Sequence, residues 1–172
     1  MSRPTKDEWG LSLALATSRR ATCLRRAVGC VLVDGLGHIL ATGYNGVAAG
    51  QPHCNERGGF ICDPASDHNH PGPSCFEFPH ACPGAHAASG TMLDACQAIH
   101  AEQNALLQCR DVQAIHTCYV TASPCMTCVK LLMNTGCRRI VFLEEYPAPE
   151  ARTLWLSLEG RSWVHQSNHR LK

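Results

Sequence analysis

Four side chains in two short stretches have the types and spacing of a hydrolytic metal centre. They are His100 and Glu102 in His-Ala-Glu, and Cys125 and Cys128 in Pro-Cys-Met-Thr-Cys. Zinc accepts imidazole nitrogen and thiolate sulfur, and a catalytic zinc keeps three protein ligands and leaves one position for water. His100, Cys125 and Cys128 supply three ligands. Glu102, two residues from His100, reaches the open position without being a ligand. Zinc lowers the pKa of bound water from about 15.7 toward about 7, and a neighbouring carboxyl can take a proton and hand it on. A Cys-x-x-Cys also occurs in redox pairs and in closed structural zinc sites, and it can arise by chance in a chain with 12 cysteines. The His-x-Glu favours the catalytic reading, because a redox pair or a structural site has no use for the carboxyl.

The elements that must hold these residues are legible around them. Gln-Asn-Ala-Leu-Leu-Gln after Glu102 is helical in composition, and this helix is expected to begin after Asp94 and run to about Cys109. A second helix is expected from Pro124 through residue 134, with Ser123 as N-cap and Gly136 as stop signal. Both halves of the site then lie at helix N-termini, whose dipoles favour thiolate and hydroxide.

Earlier in the chain, residues 6–20 read as a helix with Trp9, Leu11, Leu13 and Leu15 among its apolar positions, although the periodicity is not clean. Residues 27–33 and 38–43 read as a hairpin turning at Asp34-Gly35. The glycines of Gly43-Tyr44-Asn45-Gly46 fit a turn, which sequence favours, or a close backbone approach. Residues 47–91 form a Cys/His-rich insertion with little periodicity, holding Cys54, Cys62, Cys75 and Cys82 with His53, His68, His70, His80 and His86. A loop that long needs a stabiliser other than a core, and a second zinc is the expectation. After the first site helix come a strand over 115–122, the second site helix, a strand over 138–143, a helix over 149–158 and an edge strand over 162–164. A hairpin followed by alternating strands and helices indicates an α/β fold, a mixed sheet with helices on both faces. The 172 residues read as a single domain.

A formal net charge of +1 gives no electrostatic case for a nucleic-acid or membrane partner. Twelve cysteines without a secretory signal or a bilayer-length apolar run indicate reduced thiols, metal and a cytoplasmic location. Cys118, in an apolar strand, reads as core packing. Arg25 and Arg26 are candidate phosphate ligands because guanidinium matches phosphate geometry, with solvated surface charge as the alternative.

The chain resembles the deoxycytidylate deaminases of the cytidine-deaminase-like superfamily. The resemblance rests on residues 23–29 (CLRRAVG), 43–46 (GYNG), 100–105 (HAEQNA), 119–121 (YVT) and 123–128 (SPCMTC). The paired zinc motifs match the nucleobase deaminase signature; the GYNG stretch and the Asn after the Glu point to the deoxycytidylate branch. The resemblance implies a three-layer α/β/α fold with a central mixed five-stranded sheet, assembled as a hexamer. It implies a zinc enzyme that converts deoxycytidylate to deoxyuridylate, the precursor of thymidylate, with Glu102 carrying the protons. It implies a second, structural zinc at Cys23 and Cys54, completed from Cys82, His86 and Cys96. Asn45 would contact the deoxyribose and the backbone at Ala122 and Ser123 the base. Many members are activated by deoxycytidine triphosphate and inhibited by thymidine triphosphate. Gly43, Tyr44 and Gly46 would then belong to the effector site, and magnesium would accompany the nucleotide. Three rival functions are a deaminase of deoxycytidine triphosphate or 5-substituted deoxycytidylate, a nucleic-acid cytosine or adenosine deaminase, and a zinc-stabilised interaction module without chemistry.

Overall fold

A computed structural model of the protein describes residues 3–51, 53–54, 60–62, 75–77, 82 and 96–167. The elements run α1 (Lys6–Ser18), β1 (Gly29–Val33), β2 (Ile39–Tyr44), β3 (Phe60–Cys62), β4 (Cys75–Glu77), α2 (Ala101–Gln108), β5 (Thr117–Ala122), α3 (Met126–Met133), β6 (Arg139–Glu144), α4 (Pro149–Leu156) and β7 (Ser162–His165). Five strands form one sheet in the order β2-β1-β5-β6-β7, and β3 pairs with β4 as a separate ribbon within the insertion. β1 is antiparallel to β2 and β5, whereas β5, β6 and β7 run parallel. The mixed sheet expected from the sequence is therefore present.

Alternation along the central strands divides the core in two, because successive strand side chains point to opposite faces. Val31, Val33, Tyr119, Val141 and Leu143 face α1, where they bury Leu11 and Ala14. Cys30, Leu32, Cys118, Val120, Ile140 and Phe142 face the other way, against Ala101 and Ala105 of α2, Val129 and Leu132 of α3, and Ala151 and Trp155 of α4. The result is three layers, one helix on one face and three on the other. Cys118 is fully buried there, as expected of a packing residue.

The unclear periodicity of α1 has a steric origin. Its buried stripe is Gly10, Leu11, Ala14 and Ser18, mostly small residues, while Trp9 is exposed. A Cβ at Gly10 would press into the ring of Tyr119. Small residues bring α1 close to the sheet, where shape rather than hydrophobicity is the signal. Thr5 and Glu8 cap the helix reciprocally, with the Thr5 N–H donating to Glu8 Oε2 at 2.7 Å and the Glu8 N–H donating to Thr5 Oγ1 at 3.2 Å.

A half-buried charged cluster fastens the first turn of α1 to the sheet. Arg139 on β6 donates to both carboxylate oxygens of Asp7, at 2.7 and 2.6 Å, and Tyr119 on β5 donates its hydroxyl to Asp7 Oδ1 at 3.0 Å. The bond from Arg139 holds the Asp7 carboxyl below its ordinary 3.8, against the opposing effect of burial. A depressed carboxyl contributes stability that is fully present above its unfolded value and lost as pH falls through the folded one. Asp7→Asn is expected to destabilise by about 1–3 kcal/mol at pH 7, read by chemical denaturation. The difference from wild type should shrink as pH drops below 3.8; a difference that holds constant or grows would reject this account.

Candidate active site

The sheet delivers the site residues to one place. β5 leads into residues 123–125 and then α3, so Cys125 and Cys128 emerge at the carboxyl end of a central strand. α2 crosses β1 and β2 on the same face. Its N-cap is His100, and the N-cap of α3 is Cys125. Both halves of the motif therefore sit at helix N-termini, as expected, but the boundaries differ from the expectation in two ways. α2 starts at Ala101, not after Asp94, because Ile99 pairs with Gly46 through reciprocal backbone bonds of 2.8 and 3.2 Å, which keeps residue 99 extended. Ser123 does not cap α3 and Pro124 is not its first residue, because the N-cap is Cys125 and the helix starts at Met126. The Ser123 Oγ accepts the Tyr146 N–H at 2.7 Å and its N–H donates to the Glu144 carbonyl at 2.8 Å, which continues the β5–β6 pairing by one residue.

His100 Nδ1 lies 3.5 Å from Cys125 Sγ and 3.4 Å from Cys128 Sγ, and the three ligand atoms fall within 4.8 Å of one another. A tetrahedral ion with Zn–N of about 2.0–2.1 Å and Zn–S of about 2.3 Å separates nitrogen from sulfur by roughly 3.6 Å. The donor set and its spacing fit zinc. The Cys128 side chain, bonded to Cys125, and then His100 hold the Cys125 thiol down to about 4, while the same Cys125 bond and burial push Cys128 well up. One thiolate is thus already favoured without a metal charge.

Glu102 is 4 % exposed on the first turn of α2. Burial pushes its carboxyl up to about 7, against the lowering influence of a backbone hydrogen bond and of His100. Beneath it Cys30 and Cys118 are fully buried with sulfurs 3.6 Å apart, and both are held as neutral thiols.

The remaining candidates fall into three groups. Cys54 and Cys82 are buried together with Cys96 packed against them, and Cys23 lies near enough for its charge to act on both Cys54 and Cys96. Burial and then these neighbours push Cys54 up to about 11. Cys54, Cys82 and Cys96 therefore pack together, but among the described residues only His100, Cys125 and Cys128 have the spacing of a metal site; His86 lies outside the described residues, as does most of the 47–91 insertion. The bond to Cys125 raises the His100 pKa, with the charge of Arg25 a smaller opposing influence; Arg26 lies 5.9 Å over the Tyr146 ring, and its Nη1 is buried without a hydrogen-bond partner, 3.7 Å from Glu144 Oε2. Asn45 is buried, with Oδ1 accepting the Val28 N–H at 2.8 Å and Nδ2 donating to the Arg26 carbonyl at 2.7 Å. Ala122 is buried and pairs with Glu144.

Gly43 and Gly46 are buried and Tyr44 is half-buried. Gly43 belongs to β2 rather than to a turn, and a Cβ there would press into Ala101 O and Ala105 N of α2. The less favoured sequence reading, close backbone approach, is the one realised. Asn104, quoted from sequence only as a mark of resemblance, donates its Nδ2 to the Tyr44 carbonyl at 2.8 Å. No local pattern announces that bond, because its acceptor lies 60 residues away.

Residues 4–144 match the family model described as the cytidine and deoxycytidylate deaminase zinc-binding region. A deoxycytidylate deaminase of Mycobacterium phage D29 is 36 % identical over 146 residues, covering 84 % of this chain and 99 % of that one. One from Schizosaccharomyces pombe is 34 % identical over 146 residues, covering 84 % of this chain and 38 % of that one, so the chain spans about two fifths of the yeast relative. The fold is similar to that of a cyanophage S-TIM5 dCMP deaminase crystallised with dCMP and dUMP, with TM-score 0.64 and 23 % identity over 97 % of this chain and 99 % of that one.

The close approach at Gly43 generates a test. Gly43→Ala places a methyl against helix backbone, which overpacking costs put at about 1–3 kcal/mol. The expected outcome is a lower melting temperature and weaker zinc retention in a chelator challenge, since His100 caps the displaced helix. Unchanged stability and zinc retention would show that α2 does not depend on this contact.

Proposed function

The chain belongs to the family of cytidine and deoxycytidylate deaminases, and from that membership we propose that it hydrolyses deoxycytidylate to deoxyuridylate and ammonia. The observation that carries the reading is Glu102, a carboxyl almost fully buried beside three zinc-type ligands and raised to about 7. Such a group can both hold and release a proton near neutral pH. His100, Cys125 and Cys128 would hold zinc, which when bound supplies a water of lowered pKa.

The chain's own part is proton handling and positioning. Glu102 takes a proton from the water of hydrolysis and delivers it to ring N3, so that C4 becomes electrophilic and the water oxygen adds to it. Glu102 then takes the remaining proton from that oxygen and delivers it to the exocyclic amine; the C4–N bond breaks as the C4=O bond forms, and ammonia leaves. The buried thiols Cys30 and Cys118 keep water from the inner side of the carboxyl.

We assign the substrate phosphate to Arg25 and Arg26 together. The Arg26 Nη1 donor is buried without a hydrogen-bond partner, with Glu144 Oε2 3.7 Å away. A guanidinium offers two parallel donors to phosphate oxygens. We also propose a second, structural zinc at Cys23, Cys54, Cys82 and Cys96, a four-thiolate set of the closed type. Burial, and after it the neighbouring thiols, raises Cys54 and Cys96, and a divalent cation would favour their thiolates.

Three measurements follow. Glu102→Gln should lower kcat for deoxycytidylate by about 10²–10⁴ while zinc content stays at the wild-type level; near-normal turnover would reject the proton-carrier role. Arg25→Ala or Arg26→Ala should reduce the preference for the monophosphate over deoxycytidine; an unchanged ratio in both would remove them as phosphate ligands. Metal analysis of Cys54→Ser should show less zinc per chain than wild type with the Cys125/Cys128 site still loaded; equal zinc in both would remove the second site.

A further inference from the structure

We infer that Gln103 is a positioning residue for His100, its side-chain amide fixing where the imidazole meets the two cysteine sulfurs. This rests on the reading of His100, Cys125 and Cys128 as a zinc site. His100 stands where the chain turns from extended backbone into α2, with φ −69° and ψ 156°. The Ile99–Gly46 bridge ends one residue earlier and leaves the His100 N–H outside it. That N–H donates to Gln103 Oε1 at 2.9 Å, in a part-buried bond. The His100 carbonyl accepts the Asn104 N–H at 2.9 Å, an ordinary bond of the helix. Of these backbone bonds at residues 99 and 100, the one to Gln103 is made by a side chain. The third helical position is used differently in the two site helices. In α3 it is Cys128, itself a ligand; in α2 it is Gln103, which grips the ligand at the N-cap.

Short reach makes this grip matter to the metal. The ring atom beside both sulfurs is Nδ1, 3.5 Å from Cys125 Sγ and 3.4 Å from Cys128 Sγ. Only Cβ and Cγ separate Nδ1 from the backbone, so two torsions are all the freedom the ligand atom has. A shift of the His100 backbone therefore passes almost undiminished to the metal, whose ligand distances hold to within about 0.2 Å. A Gln or Glu that accepts the N-cap N–H from the third helical position is half of a capping box, and elsewhere it serves the helix alone. Here the same bond fixes the backbone of a ligand. Groups that orient a metal ligand change metal affinity by about 10–100-fold when they are lost.

The test follows zinc transfer to a chromogenic chelator, and melting temperature with zinc bound and after its removal, in wild type, Gln103→Ala, Gln103→Glu and Thr5→Ala. Cys125→Ser identifies which phase of zinc release belongs to this site. Thr5→Ala removes a bond of the same kind from the cap of α1. Gln103→Ala is expected to release the zinc of this site about tenfold faster and to gain less melting temperature from bound zinc. Gln103→Glu keeps an acceptor for the His100 N–H and should stay within about twofold of wild type. Thr5→Ala should melt earlier with and without zinc alike and release zinc at the wild-type rate. Wild-type release in Gln103→Ala overturns the proposal. So does equal acceleration in Gln103→Ala and Gln103→Glu, or in Gln103→Ala and Thr5→Ala, since neither pattern depends on the acceptor at residue 103. Release that is unaltered in Cys125→Ser rejects the zinc site itself, a failure separate from that of Gln103. Gln103→Met keeps the volume without the acceptor and carries the same expectation where Gln103→Ala melts too early to assay.

Discussion

Two helix N-termini have to meet at one point for this site to exist. His100 comes from the start of α2 and Cys125 and Cys128 from the start of α3, and the three ligand atoms gather within 4.8 Å. Each helix is only 8 residues long, too short to be stable alone. Their positions are imposed by the sheet. α3 is aimed by β5, the central strand it follows. α2 is pressed onto β2 at Gly43, where the absence of a side chain lets helix and strand backbones approach. The layered core described above exists in large part to make those two aims converge.

The same convergence determines the electrostatics. Burial disfavours the charged form of Glu102, and the fully buried thiols beneath it offer no solvation. The Cys128 side chain, then the His100 ring and the Cys128 backbone at the start of α3, work in the other direction, favouring negative charge on Cys125. A carboxyl that holds its proton and a thiol that gives its proton up therefore stand within one small volume. That is the pairing of opposed environments by which a single fold can both hold a metal and move a proton.

The centre was legible in the sequence because each half of it is contiguous: His100 and Glu102 are two residues apart, Cys125 and Cys128 three, and local chemistry selects both spacings. The sheet was legible because its strands alternate between two buried faces. What escaped depends on contacts distant in sequence. Ser123 has the composition of a cap, yet the N–H of Tyr146, 23 residues on, claims its oxygen. The onset of α2 is delayed by pairing between Ile99 and Gly46. The buried face of α1 is written in Gly10, Ala14 and Ser18, residues whose value is their small size against Tyr119 and β1.

The Gly46–Ile99 bridge also governs what the fold can tolerate. Two backbone hydrogen bonds close the chain on itself just before the ligand-bearing helix, so the 52 residues from 47 to 98 leave and re-enter at a single clasp. The entropy of closing such a loop grows only as the logarithm of its length, with each doubling costing about 0.6 kcal/mol. Material can be added to or removed from the segment at little thermodynamic penalty, and the clasp keeps such changes from reaching His100. Changes in length between residues 47 and 98 are thereby kept apart from the helix that carries His100 and Glu102.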